Sequence, residues 1–343
     1  MNNIINYEIK KLPSQEWNKI LHLFDDASIY QTNAFTKYSI GGENSEHFII
    51  KNNNKIIAAA QVRLKTIPPL KRGIAYIRWA PMWQLKNSVS DINNFRLALE
   101  MLYKEYVVKR KLVLRIVSNH FIDEINNYKE IFESIGFSKF QQEDKTIIID
   151  LTQDEETLRK NFRKKWRYSL KQAEKKNLTV IKGNTNVLFD EFIKIYKEMH
   201  SRKNFEETVS VDSFKTINDD LSKENKLQIF ICKYEDEPLS AMVSTAMGNT
   251  GIYLLGGSTN QGLKMGSSYL LQWETMMWLK SIDIKWYDLG GIDKKANPGV
   301  YTFKSGMGGK EVSFIGGFEA GKDLLSKKIV QLGELINNVR RKT

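Results

Sequence analysis

The chain has 343 residues, of which 52 are Lys or Arg and 40 are Asp or Glu, so its formal net charge is +12. With 41% hydrophobic residues, this length suffices for two ordinary cores and excludes a disordered chain. No apolar run approaches the ~20 residues that span a bilayer, and the N-terminus lacks the plan of a signal peptide, so we expect a cytoplasmic protein. Cys232 is the single cysteine and the four histidines are scattered, which predicts neither an internal disulfide nor a metal site.

The first half of the chain alternates strand and helix patterns. It begins with a short amphipathic helix and an Asn-rich hairpin, and a helix ending at Gly136 precedes its last strand. The predicted helices are 14–24 and 90–108, and the predicted strands are 47–51, 55–64, 74–79, 112–117 and 146–151.

The second half repeats this order of elements. FIIKNNNKIIAAAQV (48–62) aligns with FICKYEDEPLSAMVS (230–244) at a constant offset that places Phe48 on Phe230 and Ala59 on Ala241. Two hairpins can be similar by chance, but a strand (251–256), a helix (267–280) and a buried strand (284–287) follow in the same order. We therefore predict two copies of one α/β unit with mixed sheets.

The predicted domain boundaries follow from this repeat. The first domain takes residues 1–151, and the second takes 152–319. A final helix within 320–343 is predicted to pack back on the first domain, through the apolar residues Leu324, Leu325, Ile329, Leu332 and Ile336.

Both halves resemble the GNAT acetyltransferase fold, in which a glycine-rich turn at a helix start holds the pyrophosphate of coenzyme A. The corresponding stretch of the second half, QGLKMGSS (261–268), has Lys264 where the first glycine should be, and residues 85–91 of the first half contain no glycine. This pattern favours an acyltransferase whose donor is not coenzyme A, but an acyl-CoA or acyl-carrier N-acyltransferase remains the alternative.

A basic segment lies between Arg159 and Lys176. It contains nine Lys or Arg residues and one acidic residue, Glu174, so it supplies +8 of the net charge. On a helix, Phe162, Trp166, Leu170 and Ala173 would form a buried stripe, while the cations lie elsewhere on the surface. The candidates for contact with phosphates are Lys160, Arg163, Lys164, Arg167 and Lys171. The alternative is the solvated face of an ordinary amphipathic helix.

The stretch from Trp286 to Glu319 carries the candidate chemistry. A buried strand ends at Asp288 and is followed by Gly290 and Gly291, and strand ends with glycine turns are where α/β folds place ligand sites. Asp288 could orient or deprotonate an acceptor amine, or it could cap the glycine turn. Lys304 could be catalytic or a solvated surface charge. Tyr253 and Tyr301 could line the cleft or belong to the core.

Three runs of residues together resemble the FemABX family, peptidyltransferases that build the interpeptide bridges of peptidoglycan from aminoacyl-tRNA. These runs are LRKNFRKKWRYSLKQAEKK (158–176), WYDLGGI (286–292) and YTFKSGMGGKEVSFIGGFE (301–319). The resemblance covers the second half strongly and the first half by architecture. It implies two tandem GNAT-like domains, aminoacyl-tRNA as the donor and no cofactor. It also implies a UDP-linked or lipid-linked muropeptide acceptor, which could bring the protein to the inner membrane surface.

The resemblance also assigns residues. The lysine of the family's Phe-Lys pair stabilises an oxyanion and matches Lys304, with Phe303 holding it in place. Members that act on soluble precursors have a lysine after a Gln-x-x-x-Trp motif. Here the motif reads Gln31-x-x-x-Phe35, with Lys37 beyond it. The predicted substrate-binding residues are Tyr253, Tyr301, Gly290, Gly291 and Lys37. A non-catalytic protein that binds tRNA or the cell envelope is a third possibility. The sequence does not predict the oligomeric state.

Overall fold

The computed structural model describes residues 4–39, 44–122, 127–203 and 210–340. Its strands are Ile5–Lys10 (β1), Ser45–Asn52 (β2), Lys55–Ile67 (β3), Arg72–Arg78 (β4), Val113–Val117 (β5), Ser138–Gln141 (β6), Lys145–Asp150 (β7), Leu178–Gly183 (β8), Gln228–Tyr234 (β9), Glu237–Met247 (β10), Thr250–Ser258 (β11), Trp286–Asp288 (β12), Lys310–Ser313 (β13) and Gly317–Ala320 (β14). The α-helices are Ser14–Leu21 (α1), Asn33–Ser39 (α2), Ile92–Leu102 (α3), Tyr128–Ile135 (α4), Glu155–Asn161 (α5), Lys164–Glu174 (α6), Asn186–Lys203 (α7), Val211–Asp220 (α8), Asn260–Met265 (α9), Ser267–Ser281 (α10), Pro298–Ser305 (α11) and Leu324–Arg340 (α12).

The strands form two seven-stranded mixed sheets, which confirms the predicted α/β class. The first sheet has the order β1-β2-β3-β4-β5-β14-β6, and the second, read from its other edge, has the order β8-β9-β10-β11-β12-β7-β13. In each sheet an antiparallel group leads into one parallel pair, β4 with β5 and β11 with β12. The order of strands is therefore the same in both copies.

The internal repeat extends to the pairing register. Phe48 pairs with Ala60, and Phe230 pairs with Met242, at the offset of 182 seen in the sequence. The turn residues Asn53 and Asn54 have positive φ, as do their counterparts at 235 and 236. Such φ values at both central residues give the turn the twist that a two-residue hairpin needs.

The sixth strand of each sheet corrects the predicted domain boundaries. We assigned 146–151 to the first domain, but β7 lies in the second sheet, where Ile148 pairs with Asp288. Likewise, β14 lies in the first sheet, where Gly317 pairs with Val117, although we placed 152–319 in the second domain. The compact units are Met1–Asp144 with Ser313–Thr343, and Lys145–Val312.

The C-terminal helix α12 packs on β4 of its own unit, as predicted, but through a different face. Ser326 is fully buried, and its hydroxyl donates to the Lys111 carbonyl at 2.6 Å and accepts from the Gly73 N–H at 3.2 Å. The apolar residues expected to be buried are instead largely exposed, namely Leu324, Leu325, Leu332 and Ile336. The side of α12 that meets the sheet carries Ser326 together with the half-buried Ile329 and Val330.

Candidate active site

The site lies in the second unit, where two parallel strands part. Strand β11 pairs with β12 from Thr250 to Ile252, and Ile252 is opposite Asp288. Strand β12 ends there, while β11 continues to Ser258 and carries a register shift against β10 next to Tyr253. From Tyr253 onward, β11 has no parallel partner among the described strands, so an opening is left between β11 and β12.

Asp288 closes the turn at the end of β12. Its side chain is 3% exposed, and its Oδ1 accepts hydrogen bonds from the Gly290 N–H at 2.8 Å and from the Thr146 hydroxyl. Its Oδ2 has no hydrogen bond to any residue that the structure describes. Burial raises the pKa of Asp288, although these hydrogen bonds and the charge of Lys304 oppose the rise. Asp288 therefore caps the glycine turn and keeps one oxygen available.

Lys304 lies in the last turn of α11, and its ammonium group points into this opening. The side chain is 7% exposed, and Nζ donates to the carbonyls of Gly290 at 3.3 Å and Gly291 at 2.9 Å. It also lies 5.5 Å from the centroid of the Tyr253 ring. An ammonium has three protons, and no third acceptor for Lys304 occurs within the described ranges. This lysine is not a solvated surface charge.

The environment of Lys304 changes its acidity. Burial lowers the pKa of its ammonium from 10.5 to about 8, and the nearby charge of Asp288 partly offsets this effect. Lys304 is therefore mostly protonated at neutral pH, but it loses its charge in a mildly alkaline solution. Burial also raises the pKa of the Tyr253 hydroxyl to about 12, which keeps that group protonated.

The turn that Lys304 contacts requires glycine at position 290. Gly290 has a φ of +72°, and a Cβ there would lie 2.9 Å from the Tyr253 carbonyl oxygen and 3.7 Å from Lys304 Nζ. Because L-residues with a side chain rarely adopt this φ, a substitution would strain the turn and crowd the ammonium. Gly291 has open space around it and contributes its carbonyl oxygen.

Thr146 is a site residue that our sequence analysis did not identify. Its hydroxyl lies within hydrogen-bond distance of Asp288 Oδ1 and 3.0 Å from the Gly290 carbonyl oxygen. It reaches this position because β7 pairs with β12. Nothing in the local sequence TIIID indicates that pairing, so the sequence offered no signal for Thr146.

Phe303 and Tyr301 do not join Lys304 at the opening. The Phe303 ring packs against Tyr269 and Trp166, with ring centroids 5.2 and 6.1 Å apart, and so anchors α11 to the core. The Tyr301 hydroxyl bonds to Glu311 at 3.2 Å. Among the described contacts, Tyr301 has none with Lys304, so the structure does not bring these two predicted residues together.

The basic segment is two helices instead of the predicted single one. Helix α5 ends before Phe162, which is extended, and α6 begins after Arg163. The predicted apolar stripe is buried all the same, and Trp166 and Phe162 pack with ring centroids 4.3 Å apart. The five candidate cations are all exposed: Lys160, Arg163, Lys164, Arg167 and Lys171.

These five cations differ in their contacts. Lys160 forms an ion pair with Glu156 at 2.7 Å, and Arg167 donates to the Lys160 carbonyl at 3.1 Å. Within the described part of the chain, Arg163, Lys164 and Lys171 have no ion pair. Because α6 contacts α11 through Trp166 and Phe303, a cationic surface and Lys304 belong to neighbouring helices.

The stretch aligned with a coenzyme A loop is folded as helix α9 and its cap. The N–H groups of Gly262, Leu263 and Gly266 bond to Thr259 or to Leu263 of the same stretch. The hydroxyls of Ser240, Ser258 and Ser267 bond to one another or to the Gly262 carbonyl beside it. The three glycine and leucine N–H groups and the three hydroxyls are therefore already bonded and not free to bind a pyrophosphate.

Lys37 lies in the first unit on α2, where it is exposed and sits 4.6 Å from the centroid of the Tyr38 ring. Gln31, which begins the predicted motif, is 1% exposed. Its amide donates to the Arg78 carbonyl at 2.6 Å and accepts from the Gln61 N–H at 2.7 Å. Gln31 thus ties the turn before α2 to the sheet. Of the two motif residues, Lys37 is the exposed one and stays the candidate for contact with a ligand.

Comparison with known proteins finds a family that is similar to the segment carrying this site. Residues 208–332 match the FemAB family. The predicted resemblance is thereby confirmed. The FemAB segment includes Tyr253, Asp288 and Lys304, but it leaves out Thr146 and the basic segment 159–176.

Individual proteins are also similar to this chain. A UDP-N-acetylmuramoylpentapeptide-lysine N(6)-alanyltransferase from Weissella viridescens is 26% identical over 161 residues, which are 46% of this chain and 47% of that protein. The match thus spans about half of that relative. A crystal structure of FemX superposes with a TM-score of 0.78 at 17% identity, covering 95% of this chain and 99% of FemX. A conserved protein of unknown function from Bacteroides thetaiotaomicron has a TM-score of 0.60 at 9% identity, covering 92% of this chain and 100% of that protein.

None of the described helices is long and apolar enough to cross a membrane.

Proposed function

We propose that this protein transfers an amino acid from aminoacyl-tRNA to an amine of a peptidoglycan precursor. The observation that carries the proposal is the Lys304 ammonium, which is buried beside Asp288 at the parting of two strands and retains one uncommitted proton. The FemAB match over this segment and the alanyltransferase relative support the same class of reaction.

Lys304 would act on the carbonyl oxygen of the donor ester. When the acceptor amine attacks the carbonyl carbon, a C–N bond forms and negative charge develops on that oxygen. Lys304 would donate its remaining proton to this oxyanion in a hydrogen bond, and one such donor is worth roughly 10²–10³ in rate. Collapse of the intermediate breaks the C–O bond, and the ribose oxygen leaves as a hydroxyl after taking a proton. No covalent enzyme intermediate is needed, because the ester is already activated.

Asp288 would accept a proton from the acceptor amine. An amine must lose a proton to become an amide, and the raised pKa of Asp288 makes its carboxylate a stronger base than an exposed one. Its Oδ1 is committed to the turn, so the free Oδ2 is the atom that would accept this proton. Thr146 would fix the carboxylate in that orientation.

The exposed cations of α5 and α6 would bind the phosphates of the tRNA. Arg163, Lys164 and Lys171 form no ion pair with the described acidic residues, and α6 packs directly on the helix that carries Lys304. A tRNA held there would present its charged end near the opening. The same cations could also hold the protein at an anionic membrane surface if the acceptor is lipid-linked.

A second candidate function uses acyl-CoA as the donor and transfers an acyl group to a sugar or amine. The α9 turn, in which the N–H groups of Gly262, Leu263 and Gly266 are already bonded, argues against it. Calorimetry with coenzyme A distinguishes the two functions. Micromolar binding would favour the acyl-CoA reading, and no binding is expected from the geometry of the turn.

The direct test supplies the protein with a pool of charged tRNAs and either a UDP-linked or a lipid-linked muropeptide, and identifies the product by mass spectrometry. We expect the acceptor to gain the mass of one aminoacyl residue, and uncharged tRNA serves as the control. Salt-sensitive tRNA binding without transfer to either acceptor would instead support a non-catalytic binding protein.

A further inference from the structure

Arg63 is a buried cation whose terminal nitrogens lack acceptors. It lies in β3 and is 8% exposed, and neither Nη1 nor Nη2 has a hydrogen-bond partner among the residues that the structure describes. Burial lowers the pKa of its guanidinium to about 10, and no carboxylate among the described residues offsets that effect. An unpaired buried charge destabilises a folded protein, so its presence calls for a compensating group.

A second guanidinium lies on the same face of the sheet. Arg63 pairs across the strands with Tyr76, and Arg78 lies two residues further along β4. The Arg78 guanidinium lies 3.9 Å from the centroid of the Tyr30 ring, and that of Arg63 lies 5.2 Å from the centroid of Tyr76. The two charges act on each other, because Arg78 contributes to the lowered pKa of Arg63.

The neighbouring polar side chains on this face cannot serve Arg63. The Gln61 carbonyl oxygen accepts from the Thr36 hydroxyl at 2.6 Å, and its amide nitrogen donates to Asn33. The Gln31 side chain bonds to the backbone of Gln61 and Arg78. Since these groups already have partners, no described side chain on this face supplies the acceptors that Arg63 lacks.

We propose that Arg63 and Arg78 form a binding site in the first unit for a ligand that carries an oxyanion, either a phosphoryl group or a carboxylate. Guanidinium groups bind both through paired N–H···O bonds, and an oxyanion between the two would supply Arg63 with acceptors. Both Nη atoms of Arg63 are covered, so the half-buried side chains of Arg78 and Tyr76 must move to admit the ligand. A muropeptide precursor carries both kinds of group, so the natural ligand, though not the site, rests on the proposed function.

Calorimetry with two simple probes tests the site at one fixed ionic strength. Inorganic diphosphate represents the phosphoryl source, and glutarate represents the carboxylate source. We expect saturable binding of at least one probe, and the tighter of the two identifies the group that the site takes. Arg63→Met and Arg78→Gln are expected to weaken that binding by about tenfold to a hundredfold, as the loss of charged hydrogen bonds does. Arg96→Gln, an exposed arginine on α3 bonded to Ser134, is the matched control and should bind normally.

Thermal unfolding gives a second readout that does not depend on transfer activity. Without ligand, Arg63→Met should melt at the wild-type temperature or above, because it removes an uncompensated buried charge. The probe should raise the melting temperature of wild type and Arg96→Gln but not of Arg63→Met. The site would be overturned if wild type bound neither probe, or if Arg63→Met and Arg78→Gln bound the probe as tightly as wild type does. Either result would leave the proposed transfer reaction untouched. If Arg63→Met does not fold, Arg78→Gln alone decides.

Discussion

Replacing Lys304 by methionine separates its chemical role from its structural one. Methionine keeps the length and apolar stem of the side chain but removes the charge and all three donors. If the ammonium stabilises the oxyanion, the transfer rate should fall by roughly 10²–10³, the effect of losing one oxyanion donor. Lys295→Met, which changes an exposed lysine just before α11, is the control and should retain the wild-type rate.

The structure also sets the expected effect of Lys304→Met on stability. The fall of the Lys304 pKa from 10.5 to about 8 corresponds to about 3 kcal/mol of unfavourable free energy for burying the charge. Its hydrogen bonds to Gly290 and Gly291 return about 1.5 kcal/mol each. These effects nearly cancel, so urea denaturation should show little change in the free energy of unfolding, and a loss of rate cannot be attributed to unfolding.

The pH dependence of the wild-type rate gives an independent check. Lys304 is charged below its folded pKa, so its contribution to the rate should be lost as pH rises through about 8. Because the folded pKa lies below the unfolded one, the charged lysine weakens the fold below pH 8, and this penalty disappears between pH 8 and 10.5. Single-turnover rates with charged tRNA should decline above pH 8 in wild type but not in Lys304→Met. An unchanged rate in the variant, or the same alkaline decline in both proteins, would refute the assigned role.

Three further predictions concern other parts of the molecule. Asp288→Asn should lower kcat by ~10² or more with little change in KM, because the amide can still accept from the turn but is not a base; steady-state kinetics with an unchanged kcat would leave Asp288 only its capping role. Lys164→Glu combined with Lys171→Glu should weaken tRNA binding and reduce the salt dependence of the binding constant by about two phosphate contacts, measured by titration at several salt concentrations. Gly308→Ala should lower the free energy of unfolding by about 1–3 kcal/mol, measured by urea denaturation, because Gly308 has a φ of +76° and a Cβ there would clash with the Asn161 carbonyl oxygen. Gly299→Ala is the control, since a Cβ at Gly299 meets open space.

The way the two copies share strands bears on how the site is built. Two consecutive strands follow the fifth strand of each copy, β6 and β7 in the first and β13 and β14 in the second. The later strand of each pair, β7 or β14, becomes the sixth strand of the other sheet. Strand β7 thereby brings Thr146 to Asp288. This contact within the second unit depends on the strand that begins that unit, at Lys145. A truncation that starts at 152, where the sequence placed the boundary, would remove this strand and Thr146 with it.

Local patterns were enough to determine much of this protein. The offset of 182 between two hairpins located the repeat, because a two-residue turn and alternating side chains fix the register of a hairpin over a short range. The strand ending at Asp288 and the Phe303-Lys304 pair were likewise recognisable from adjacent residues. Their family resemblance drew attention to Lys304 before its surroundings were known.

Only the tertiary structure decided the pairing of β7 and β14, the exposed stripe of α12 and the place of Thr146. A strand's sequence does not identify its neighbour in a sheet, because backbone hydrogen bonds are the same for any partner. An apolar stripe shows that a helix has two faces, but in α12 the face that meets the sheet carries the buried and hydrogen-bonded Ser326. The acidity of Lys304 is also a tertiary property, since burial next to the glycine turn, and not the residue type, lowers its pKa.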